Sequence, residues 1–78
     1  MDDRAILDCI QGLVAEESRV RDQHERGALS QEAEAARLRE LEDGLDQMWN
    51  LLRQRRALRA AGMDPDTASP VQLDTWTA

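Results

Sequence analysis

The chain has 78 residues and 8.8 kDa, with no Phe or Tyr, two Trp, two Pro and a formal net charge of -6. A chain this short holds one small domain, whose single core supplies only a few kcal/mol unless a disulfide, a metal or oligomerisation adds to it. One Cys and one His exclude an internal disulfide and a closed structural zinc site. An isoelectric point near 4.6 argues against nucleic acid as the main partner, because such binders need a broad basic surface.

The hydrophobic residues are aliphatic and rich in alanine, glycine is scarce, and both prolines lie beyond residue 64. This is the composition of an all-α protein. The first ten residues lack the basic flank and apolar run of a signal peptide, and no stretch approaches the roughly 18 apolar residues of a membrane span. A soluble cytoplasmic protein is expected, with no membrane association.

In chain order, a first helix is predicted over about 3–26. Ile6, Ile10, Leu13 and Val20 recur at spacings of three and four along one stripe, widened by Leu7 and Val14. Glu17 interrupts the stripe. Asp2 and Asp3 sit at the positive end of the helix dipole, and Glu17–Arg21 and Asp22–Arg26 are i,i+4 pairs of the favourable order. Gly27 suits a left-handed C-terminal cap and Ser30 an N-cap, so two helices meet across residues 27–30 as antiparallel neighbours.

The second helix is predicted over about 31–61. Leu38, Leu41, Leu45, Met48 and Leu52 form its apolar stripe, and Trp49 adjoins it as an expected core residue. Folding the hairpin about residues 27–30 pairs positions whose numbers sum to about 57 or 58. Gly44 then lies near Leu13, Leu52 near Ile6, and Arg55 and Arg56 near Asp2 and Asp3. Gly62 offers a second C-terminal cap, and Asp64, Pro65 and Asp66 follow with turn chemistry. Residues 1–62 thus form the hairpin, and residues 63–78 read as an extended or disordered tail carrying Trp76.

No catalytic, cofactor-binding or metal constellation is found. Glu16, Glu17 and His24 lack the Glu-x-x-His spacing of metal sites in helical bundles, and Cys9 lies about 22 Å from His24 along one helix. A two-helix hairpin offers no concavity in which a nucleophile and its base could exclude water, so a non-enzymatic protein without a small-molecule substrate is expected. Arg53, Arg55, Arg56 and Arg59 form the basic cluster. One reading makes it an anion or RNA contact; the other has it complement the helix C-terminus and the facing Asp2 and Asp3. Trp76, a lone aromatic in a polar segment, reads as an anchor onto this protein's own surface or a partner's.

The run LDQMWNLLRQRRA at residues 45–57 resembles the small actinobacterial family named domain of unknown function 2630. Ile6-Leu7, Ile10, Leu13-Val14, Glu16-Glu17, Gly62 and Asp64-Pro65-Asp66 extend the likeness to about residue 68. The resemblance implies a short helical protein of unassigned activity and supplies no catalytic residues. The family pattern reads Cys and Asp at the positions of Met48 and Asn50, so a thiol or acid role there does not carry over.

Leu7, Val14, Leu51, Leu58 and part of Trp49 flank the hairpin seam, and this extra apolar width asks for further helices. The expected assembly is a homodimer forming an antiparallel four-helix bundle, acting by self-association and protein–protein interaction through Ile6, Ile10, Leu13, Val20, Leu38, Leu41, Leu45, Met48, Trp49 and Leu52. Two alternatives remain. One is a monomeric adaptor that offers an apolar groove to a partner helix. The other is an anion or RNA contact through the four arginines, with Arg53, Arg55, Arg56, Arg59 and Trp76 as the candidate partner-contact residues.

Overall fold

The computed structural model describes residues 1–69. Two helices, α1 (Asp3–Glu25) and α2 (Gln31–Ala60), pack against each other as an antiparallel hairpin, and a single 3-10 turn at Pro65–Thr67 follows. Among the described residues there are no strands.

Local chemistry sets each boundary. The Asp2 carboxylate accepts the Ala5 backbone N–H at 2.8 Å and starts α1, and the Ser30 hydroxyl accepts that of Ala33 at 3.1 Å and starts α2. Both helices end on a glycine in the left-handed region, Gly27 at φ 77° and Gly62 at φ 73°. At the first, Ala28 N–H donates to the Gln23 carbonyl and Gly27 N–H to that of His24; at the second, Met63 N–H donates to Leu58 and Gly62 N–H to Arg59. These paired bonds are the Schellman closure, which occupies carbonyls that the helix end leaves free. His24 strengthens the first turn, its Nδ1–H donating to the Leu29 carbonyl at 2.9 Å.

The seam follows from this geometry. Ile6, Ile10, Leu51 and Leu52 form a buried cluster, with Leu45, Met48 and Ala68 packed against it. Val20 and Leu41 are buried as well. Gly44 faces Leu13, as the hairpin register requires. A β-carbon at position 44 would lie 3.5 and 3.7 Å from the Leu13 methyls, which is ordinary contact.

Three expectations need correction. Trp49 is not a core residue: it is 40% exposed, because one residue beyond Met48 is about 100° further around the helix and past the seam. Leu51, expected at the flank, is buried at 4% exposure, because the chain after Gly62 returns and seats Ala68 against its cluster. The expected tail is likewise not extended throughout. Asp64 Oδ1 accepts the Asp66 N–H at 2.9 Å, and Thr67 N–H and Oγ1–H both donate to the Asp64 carbonyl, winding Pro65–Thr67 into its turn.

Gly44 therefore costs helix propensity without being needed for close approach. Gly44→Ala is expected to stabilise the fold by about 0.5–1 kcal/mol. Gly27→Ala, which forces a β-carbon into the left-handed region, is expected to destabilise it by about 1 kcal/mol. Thermal unfolding followed by circular dichroism checks both signs.

Candidate functional site: the arginine lock and the open flank

Arg55 and Arg59 lie one turn apart on α2, so their guanidinium groups share a face at its C-terminal end. Across the seam is the first turn of α1. Arg55 Nε donates to Asp3 Oδ1 at 2.6 Å, and Arg59 Nη2 donates to both Asp3 carboxylate oxygens at 2.8 Å. Arg55 Nη1 turns the other way and donates to the Pro65 carbonyl at 3.2 Å and to Asp66 Oδ1 at 2.9 Å. One buried guanidinium, 6% exposed, thereby joins the start of α1, the end of α2 and the following turn.

The electrostatics match this geometry. The hydrogen bond from Arg55, and next that from Arg59, hold Asp3 below the ordinary aspartate value of 3.8. The hydrogen bond from Arg55 does the same for Asp66. The Asp3 bond, followed by that of Asp66, raises Arg55 above its ordinary value. Among the described residues no buried side-chain polar atom lacks a partner, so the desolvated part of this charge is hydrogen-bonded.

The four arginines are thus two pairs. Arg55 and Arg59 are committed to the lock, with Asp3 taking the facing role while Asp2 serves as the N-cap. Arg53 and Arg56 are exposed and have no carboxylate partner among the described residues. At the loop end, Arg37 bridges the helices to Glu16 at 3.8 Å and bonds Glu40 at 3.0 Å. Glu17 is largely buried beside Arg21, 3.8 Å away. Cys9 is half-buried, and His24 is held by the loop carbonyl. Among the described residues no three His, Cys, Asp or Glu side chains converge as a metal-holding group. No described helix is long and apolar enough to cross a membrane. Trp76 lies outside the described residues.

The other feature is an apolar flank. Leu7 is 40%, Val14 52% and Trp49 40% exposed. Each directly follows a seam residue: Ile6, Leu13 and Met48 respectively. Helices of one hand packed antiparallel place residues rotated equally from the seam on the same side, so all three fall on one flank. Leu45 and Leu38, both half-buried, border it on α2. The preceding-residue flank is different, since Arg37 reaches Glu16 there and Ala68 packs against the cluster that contains Leu51.

Of the expected core set, Ile6, Ile10, Val20, Leu41 and Leu52 are buried, whereas Leu13, Leu38, Leu45 and Met48 are half-buried. The sequence reading missed the role of Asp66, although the Gly62 cap followed by Asp-Pro-Asp carried the signal: a chain reversed there must return toward α2.

These features define a small helical hairpin protein, locked at its open end by an arginine and carrying one exposed apolar flank. The chain belongs to the family described as protein of unknown function DUF2630, which it matches over residues 2–75. It is similar to uncharacterized protein Rv0898c of Mycobacterium tuberculosis and uncharacterized protein Mb0922c of Mycobacterium bovis. Each is 50% identical over 66 residues, covering 85% of this chain and 76% of the relative. No solved structure matches the chain.

Because folding lowers the Asp3 and Asp66 pKa values, their contribution to stability is complete well above 3.8. It fades as pH falls through that value and is gone below the lowered ones. The melting temperature is therefore expected to fall on acidification below about pH 4. Asp3→Asn removes the lock charge at every pH, so it should melt lower at neutral pH and show a shallower acid limb.

Proposed function

We propose that this protein is a non-enzymatic interaction module that self-associates through the flank formed by Leu7, Val14 and Trp49, two hairpins packing as a four-helix bundle. The observation that carries this reading is the exposure of three large apolar side chains on one side of a hairpin whose thinnest dimension is 13 Å, one helical layer. Stable helical domains bury their apolar stripes between two layers. A second hairpin supplies the missing layer, and an isologous pair needs only the one surface.

The non-enzymatic part rests on how the reactive groups are spent. The His24 Nδ1 is engaged with Leu29, and Cys9 is half-buried near the opposite end of α1. Arg55 and Arg59 are neutralised by Asp3 and Asp66, which weakens the anion or RNA reading of the cluster. A monomeric adaptor that uses the same flank for a partner helix is the competing reading.

Sedimentation equilibrium of the full chain over a wide concentration range decides between them. A dimer is expected, and Leu7→Glu with Val14→Glu should convert it to a monomer of lower melting temperature. Both positions are exposed in the hairpin, so the variant leaves the seam intact. A wild-type monomer at every concentration, or a variant of unchanged mass, overturns the proposal; the first result favours the adaptor.

A further inference from the structure

The outer stripe of α2 has a charge pattern that reverses about Trp49. Residues 42, 46, 49, 53 and 56 follow one another at spacings of four, three, four and three, so they share one helical face. In order they are Glu42, Asp46, Trp49, Arg53 and Arg56: two acids, an aromatic, then two bases. All five are exposed, and neither the acids nor the arginines have an ion-pair partner among the described residues. Of the neighbouring charges, Arg37 is paired with Glu40 and Arg55 and Arg59 are locked to Asp3, whereas Arg39 and Asp43 are exposed and, among the described residues, without an ion-pair partner.

Over residues 42–56 this stripe is acidic on one side of its central aromatic and basic on the other, with Arg39, the next position toward the N-terminus, outside that span; such a stripe is complementary to itself when reversed. From these charges we infer that two copies of this chain dock with their α2 helices antiparallel across a two-fold axis at Trp49, Glu42 and Asp46 of each copy facing Arg56 and Arg53 of the other. The inference rests on the self-association proposed above and adds its orientation.

With Trp49 on the axis, positions whose numbers sum to 98 lie level. Glu42 then meets Arg56, and Asp46 comes within one residue, about 1.5 Å along the axis, of the level of Arg53. The two Trp49 side chains meet at the centre, a place where aromatic anchors are enriched and best shielded from water. Parallel docking would set acid against acid and arginine against arginine, juxtapositions that cost affinity. The same axis crosses α1 near Asp8, given the register that sets Gly44 against Leu13. Leu7 and Val14 consequently lie within the overlap of the two hairpins.

Oxidative cross-linking tests the orientation. In a Cys9→Ser background, Asp46→Cys and Arg53→Cys variants are prepared separately and mixed. Antiparallel docking about Trp49 yields the mixed disulfide. It yields neither symmetric one, because each position lies about 9 Å or more along the axis from its own copy, beyond disulfide reach. Symmetric disulfides, or a mixture that is dimeric by sedimentation yet forms no mixed disulfide, overturn this inference while leaving self-association standing. A wild-type monomer removes both.

Charge reversal gives an independent readout. Arg53→Glu with Arg56→Glu is expected to raise the dimer Kd about tenfold or more. Adding Glu42→Arg and Asp46→Arg to the same chain should restore it, because the pattern is then inverted but still self-complementary. A fourfold variant as weak as the double variant would overturn the charge pairing.

Discussion

The fold depends on where Arg55 spends its hydrogen bonds. A hairpin of two helices has one covalent connection, at the loop, and its other end is free to splay. Here a buried guanidinium occupies that end and donates in two directions, to Asp3 on α1 and to Pro65 and Asp66 after α2. Its planar fork suits it to bridging several acceptors, which a lysine ammonium does less well. Its charge has been withdrawn from water, so the carboxylates must stay ionised and in place for the end of the hairpin to remain closed. The buried Ile6, Ile10, Leu51 and Leu52 lie directly behind this closure.

That closure also divides the surface. The C-terminal turn is drawn over the Leu51 side of the seam, and Ala68 adds to the core there. Nothing comparable among the described residues lies over Leu7, Val14 and Trp49. The asymmetry of the protein thus originates in one arginine. By tying the returning chain to one flank, it leaves the opposite flank as the side on which a second layer of helices would pack. The arginines left unlocked, Arg53 and Arg56, fall on the α2 stripe that borders this open side.

Much of the architecture was legible in the sequence because local rules and tertiary demands agree in this chain. The glycines at 27 and 62 and the caps at Asp2 and Ser30 satisfy backbone groups within a few residues of themselves. Helix limits and the antiparallel turn could therefore be read without knowing any distant contact. The register followed as well. With a turn this short, pairing Leu13 with Gly44 leaves little freedom for Ile6, Leu52, Asp3 or Arg55.

Capping, a 3.6-residue period and loop length suffice to specify two helices, their antiparallel pairing and the facing of Asp3 with the arginine end. Which arginines are locked and which are open, and which apolar residues lie inside, depend instead on contacts made after the chain has folded. Leu51 and Trp49 both adjoin the stripe in sequence, yet one is 4% and the other 40% exposed. The periodicity measures angle around a helix but not what comes back to cover a given angle. Here that depends on the Asp66–Arg55 contact, made between residues on different elements after the chain has turned.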